Sequence, residues 1–156
     1  MFFQRKDVKE QKIEELLLEN YNRYYRLAYS YVHNEADAAD IVQNGAYKAI
    51  RNSDSLKNVE YAQTWIYRIM LNEIFQCAKK KQMVSLDELP TEQGQERALD
   101  QMNPQDKAVI ELRYFEDMKI EDIAKVLDEN VNTVKSRLYR GLKKLRLELT
   151  DAWQWE

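Results

Sequence analysis

The sequence predicts an all-α protein built as two small helical domains joined by a flexible linker. Three observations carry that expectation. Among 156 residues there are only three Gly and two Pro, so a sandwich of many short strands has almost nothing from which to build its corners. Apolar residues recur at threes and fours along most of the chain, which is the helical period. The stretch 82–97 loses that period, contains Pro90 and Gly94, and gathers the acids Asp87, Glu88, Glu92 and Glu96, as a connection between domains does.

In order, Ile13, Leu17, Tyr21, Tyr24, Tyr25, Ala28, Tyr31 and Val32 predict one long amphipathic helix from Glu10 to Val32. Asn34, followed by Glu35 and Asp37, reads as the cap of a second helix whose stripe is Ala38, Val42, Ala46, Ala49 and Ile50. After a polar loop over 52–58, Tyr61, Trp65, Ile66, Ile69 and Phe75 mark a third helix, closed by Lys79, Lys80 and Lys81 at its negative end. These elements make a first domain over 1–81. A short helix around 98–102 and another to about Tyr114 follow, the latter with Asn103 as cap and Pro104 in the first helical position. Helices over 120–127 and from Val131 to about Leu149 complete a second domain over 98–150, leaving 151–156 as a tail.

Composition narrows the function. Seventeen aromatics and 44% hydrophobic residues exclude a disordered chain. One Cys excludes an internal disulfide, and one His beside it leaves no zinc set, so no metal and no cofactor are expected. His33 and Cys77 read as structural, no phosphate-cradling Gly loop exists, and an enzyme is not expected. No signal-peptide run or membrane-length apolar window is present, which predicts a cytoplasmic protein without membrane insertion. Taken whole, the net charge of −3 argues against a nucleic-acid partner, but by segment it is +2 over 1–81, −8 over 82–130 and +3 over 131–156. Val131 to Arg146 carries Lys135, Arg137, Arg140, Lys143, Lys144 and Arg146 with no acid. A local field matters more to a partner than the total, since screening sets in within ~8 Å.

Ile120, Ile123, Ala124 and Leu127 give a short helix with one apolar face, Asp128-Glu129-Asn130 a turn in which Asn130 can cap, and Val134, Leu138, Leu142, Leu145 and Leu149 the stripe of a second helix. At 100° per residue that stripe leaves Asn132, Thr133, Ser136, Arg140 and Lys143 outward, with Lys135, Arg137 and Tyr139 on the shoulders. A recognition helix needs such a face: residues near its start reach base edges while hydroxyls and long cations meet phosphates. A solvated basic face on an ordinary bundle helix is the competing reading.

The run Thr133-Val134-Lys135-Ser136-Arg137-Leu138-Tyr139-Arg140-Gly141, preceded by Ile123-Ala124-Lys125-Val126-Leu127, resembles region 4 of the bacterial sigma-70 family. Asp40-Ile41-Val42-Gln43, with Tyr61, Trp65-Ile66-Tyr67-Arg68-Ile69 and Asn72, resembles region 2. Two such regions and a short linker are similar to the extracytoplasmic-function (ECF) group. The resemblance implies a sigma factor that binds core RNA polymerase and directs promoter-specific initiation. It implies that Asp40 and Gln43 meet the polymerase, and that Asn58, Tyr61, Tyr67, Arg68, Asn72, Lys79 and Lys80 take the minus-10 element as an unstacked strand. Trp65 is expected in the core. It further implies that Lys135, Ser136, Arg137 and Arg140 read the minus-35 element, while Thr133 and Lys144 hold phosphate. An anti-sigma partner follows from the same resemblance, and no small-molecule substrate does. The linker acids fit either a passage through the polymerase channels or plain solvation.

Several positions depart from the family pattern. Ala39 and Asn44 stand where acids usually flank the core motif, Gly45-Ala46 replaces a larger apolar pair, and Leu71 stands where an Arg commonly precedes Asn72. In the turn, Asp128-Glu129 replaces Gly and an apolar residue. The alternative function is a stand-alone helix-turn-helix regulator; core-polymerase binding discriminates the two.

Overall fold

Asparagines fix where several helices begin. In the computed structural model, which describes residues 7–85, 99 and 102–153, the side-chain oxygens of Asn34, Asn103 and Asn130 accept from the backbone N–H groups of Asp37, Gln105 and Thr133 at 3.0, 2.9 and 2.7 Å. Each satisfies a donor that the first helical turn leaves without an internal partner. The chain divides into two units, 1–87 and 88–156.

The first unit holds α1 (Val8–Glu19), α2 (Tyr21–Val32), α3 (Glu35–Arg51) and α4 (Ala62–Ser85), with short 3-10 turns at Ser53–Ser55 and Val59–Tyr61 before α4. The single long helix expected from Glu10 to Val32 is two helices. Asn20 leaves helical geometry at φ −111° and ψ 14°, and both its backbone N–H and its side-chain amide donate to the Leu16 carbonyl, each at 3.0 Å. The side-chain amide thus adds a second bond beside the backbone one, a local contact of the kind asparagine makes at helix ends. Tyr21, expected in the apolar stripe, is consequently exposed, and stacks in a row with Tyr25 and Tyr29 along the outside of α2.

The core of this unit is Ile13, Tyr24, Leu27, Ala28, Ile41, Val42, Ile66, Tyr67, Met70, Leu71 and Ile74. Gly45 lies buried where α3 meets α4, and a Cβ there would stand 2.5 Å from the Met70 sulfur. That contact accounts for a glycine inside a helix, where it costs ~1 kcal/mol relative to Ala. Helix α4 continues to Ser85, four residues past the domain end expected at 81. The remainder of the expected linker, with its four acids, lies outside the described residues.

The second unit holds α5 (Pro104–Ile110), a π turn at Glu111–Phe115, α6 (Ile120–Leu127) and α7 (Val131–Trp153). Most of the short helix expected around 98–102 lies outside the described residues; Met102 N–H donates to the Leu99 carbonyl at 3.3 Å. Helix α7 runs into the stretch expected to be a tail. Val109, Leu112, Ile123, Val126 and Val134 form the core. Of the stripe expected on α7, Leu142 is exposed and Gly141 is buried in its place. Helix α7 approaches α5 so closely there that a Cβ on Gly141 would stand 2.6 Å from Ile110 Cδ1. No described helix is long and apolar enough to cross a membrane.

Candidate nucleic-acid and polymerase interfaces

In the second unit, α6, a tight turn and α7 form a helix-turn-helix. Asp128 closes α6 in the left-handed conformation, at φ 55° and ψ 45°, where Asp is better tolerated than most residues. Its backbone N–H is held by the Lys125 carbonyl, and that of Glu129 by the Ala124 carbonyl at 2.9 Å. Glu129, which stands where the family usually has an apolar residue, accepts instead from Arg137 Nε, at 3.0 and 2.9 Å to its two oxygens.

The acid turns out to be one end of a chain of charges. Arg137 Nη1 donates to Asp106 Oδ1 at 3.0 Å, and Arg140 donates to the same carboxylate through Nε and Nη2, both at 2.9 Å. Asp106, in the first turn of α5, is only 6% exposed. Burial raises its carboxyl, but the hydrogen bonds and charges of Arg140 and Arg137 outweigh that and hold it below its ordinary 3.8. The same contacts push both guanidinium groups up.

This geometry corrects the sequence reading of Arg137. Its side chain, expected on the shoulder of the face as a minus-35 reader, is 20% exposed and its donors engage Glu129 and Asp106, so it joins α7 to α5 and the turn instead. Arg140 keeps 63% of its side chain exposed. Lys135, Ser136 and Lys144 are exposed, as are Asn132, Tyr139 and Lys143, while Thr133 is partly buried beside the Asn130 cap.

In the first unit, Asn58, Tyr61, Asn72, Lys79 and Lys80 are exposed and Arg68 is partly buried. The Asn58 side chain caps the second 3-10 turn, accepting from Glu60 N–H at 3.0 Å. At 100° per residue, Arg68, Asn72 and Lys79 share one stripe of α4, with Lys80 on its shoulder, and Tyr61 closes the 3-10 turn that leads into the helix. Tyr67 lies on the opposite side: it is wholly buried and packs edge-on against Tyr24. It is therefore a core residue, correcting its assignment to the minus-10 surface. Trp65, expected in the core, is partly exposed at the edge of the outward stripe, about 60° round the helix from Arg68 at 100° per residue. The same arithmetic applied to the sequence finds both corrections. Leu71 is buried, so its replacement of Arg alters the core and leaves the outward stripe intact.

Asp40 and Gln43 are exposed on α3 and share a stripe with Asn44, Tyr47 and Arg51. Sequence reasoning passed over Tyr47. It is 63% exposed, with the Arg51 guanidinium 6.0 Å from its ring centre, a pairing that suits an interface anchor. On the neighbouring side Lys48 is paired with Glu73 of α4.

A helix-turn-helix with a basic outward face, on a chain that also holds a second helical unit, defines the general class. Comparison with known proteins fixes the family: residues 16–83 match the model of sigma-70 region 2, and residues 96–145 that of sigma-70 region 4. The chain is 39% identical over 140 residues to the RNA polymerase sigma factor SigV of Bacillus subtilis, covering 81% of this chain and 84% of that protein. It is 29% identical over 158 residues to the ECF RNA polymerase sigma factor SigW of the same organism, covering 83% and 84%. Among solved structures, CnrH in complex with the cytosolic domain of CnrY has a TM-score of 0.72 at 21% identity, covering 89% of this chain and 88% of that one. The sigma factor RpoE of Bartonella quintana, in complex with the anti-sigma factor NepR, also has 0.72, at 22% identity, covering 90% and 98%. The chain belongs to the sigma-70 family, in its ECF group, and is an RNA polymerase sigma factor.

Proposed function

We propose that this sigma factor acts in the cytoplasm as a non-catalytic initiation factor, binding core RNA polymerase through α3 and reading two promoter elements with two helices. Asp40, Gln43 and Tyr47 form the polymerase contact. Tyr61, Trp65, Arg68, Asn72, Lys79 and Lys80, with Asn58 at the preceding turn, receive the minus-10 element as a single strand; aromatic faces accept unstacked bases while cations follow the backbone. Lys135, Ser136 and Arg140 address base edges of the minus-35 element in the major groove, and Thr133 and Lys144 hold phosphate. Two structural neighbours were solved with partners, one of them named an anti-sigma factor; by analogy an anti-sigma partner would act by covering these same surfaces.

The observation that carries the reading is the outward face of α7, where Asn132, Lys135, Ser136, Tyr139, Arg140 and Lys143 are all exposed along the first turns that follow the capped helix start. Run-off transcription with core polymerase and this protein tests it: initiation at specific promoters is expected. Failure to stimulate initiation on any promoter of a genomic library would sink the reading.

A further inference from the structure

Arg140 is exposed, yet it is not loose. A guanidinium has two edges that can form paired hydrogen bonds, the Nε/Nη2 side and the Nη1/Nη2 end. Asp106 accepts from both groups of the first edge at 2.9 Å. The carboxylate is itself fixed, since it is buried in the first turn of α5 and accepts a third bond from Arg137, which Glu129 holds from the turn. Arg140 thus stands at the end of a strut running from Glu129 through Arg137 and Asp106; Nη2 spends one of its two protons on Asp106, and no described residue accepts a hydrogen bond from Nη1, so the other face of the fork is left to a ligand.

We propose that Asp106 is a positioning residue for promoter recognition: it locks Arg140 so that the Nη1/Nη2 end is presented to a guanine in the minus-35 element. An arginine without such a support rotates to whichever acceptor is nearest, phosphate or base, and yields affinity without discrimination. Held by one edge, it offers a single fork in a single direction, which suits the paired O6 and N7 acceptors of guanine. Losing less freedom on contact also favours the correct base. Asp106 lies 34 residues before Arg140 and on a different helix, so the specificity of α7 is set partly from α5. This inference rests on the reading of α7 as the minus-35 recognition helix.

The test uses holoenzyme reconstituted with the full chain and a promoter panel in which every minus-35 base pair is varied singly. Arg140→Ala is expected to flatten discrimination at one G·C pair by about tenfold. Asp106→Asn should flatten the same pair to a similar extent, and the double variant should lose nothing further. Asp106→Glu keeps the charge but moves the carboxylate by one methylene, and should show a partial loss at that pair with melting close to that of the parent. If Arg140→Ala flattens the pair while both Asp106 variants retain full discrimination, Asp106 only stabilises the fold and the inference is overturned. If Arg140→Ala changes no base pair, the reading of Arg140 as a base contact fails first and takes the inference with it.

Discussion

Tyr67 lies edge-on to Tyr24, with ring centres 5.1 Å apart and planes at 78°, and neither ring is exposed. The pair joins α2 to α4 inside the first unit, in the geometry that aromatic quadrupoles favour. Tyr67→Ala should therefore destabilise the unit by about 3–5 kcal/mol, whereas Tyr67→Phe should leave promoter opening within a factor of about two, since aromatic packing is kept. Denaturant melts beside permanganate footprints of the open complex separate the two. A large opening defect in a stably folded Tyr67→Phe would return this side chain to the DNA surface.

The reverse is predicted for Tyr61, which is 48% exposed at the end of the 3-10 turn before α4. Tyr61→Ala should change stability by less than about 0.5 kcal/mol while slowing open-complex formation by about fivefold to a hundredfold, the equivalent of about 1–3 kcal/mol of base stacking. Stopped-flow fluorescence on a labelled promoter gives the rate. A stable variant opening at the parental rate would show that the strand takes another path.

Lys144, on the side of α7, is assigned to phosphate. Lys144→Ala should weaken holoenzyme binding by a similar factor on every promoter variant, because phosphate contacts carry no sequence information. Competition binding across the single-base panel would show parallel losses. Loss concentrated at one base pair would contradict the assignment.

The acid stability of the second unit should depend on Asp106. Its carboxyl is held below its ordinary 3.8 when folded, so its contribution is present in full above that value. It is lost as pH falls through the depressed folded value, where the unfolded chain has already bound its proton. Urea midpoints taken between pH 6 and 2 should fall toward the acid end, and Asp106→Asn should remove part of that fall. An identical pH profile for the variant would mean that other carboxylates carry the acid transition.

Gly141→Ala offers a packing test. Better helix propensity would add ~1 kcal/mol of stability, but the new Cβ falls 2.6 Å from Ile110 Cδ1 in a buried contact. Overpacking costs about 1–3 kcal/mol, so a net loss of about 1 kcal/mol is expected in thermal or urea melts. A stabilised variant would show that Ile110 can move aside at little cost.

Much of this was legible because it is local. The caps at Asn34, Asn103 and Asn130 depend on residues within a turn of one another, and the helix-turn-helix follows from apolar period plus the capped turn. What escaped depends on contacts across the chain or on a local side-chain bond. The break falls at Asn20, whose backbone leaves helical geometry while its side-chain amide joins its backbone N–H on the Leu16 carbonyl. The glycines at 45 and 141 make sense only against Met70 and Ile110. Glu129 and Asp128, which look like defects in the family turn, are accommodated by Arg137 and by a left-handed backbone. Tyr67 and Trp65 were exchanged for a different reason, since both are aromatic and only their angular position on α4 tells core from surface.

The strut through Asp106 also alters how the basic helix meets a polyanion. Of the six cations between Val131 and Arg146, Arg137 and Arg140 arrive already neutralised by Asp106 and Glu129. Condensed counterions leave DNA in proportion to the phosphates a protein neutralises, each adding ~0.9 to the salt slope. The domain alone therefore releases fewer ions than its charge count suggests, and its pull on arbitrary duplex is correspondingly weak. It gains orientation in place of raw attraction, a balance suited to a subunit that should dwell on DNA only when polymerase comes with it.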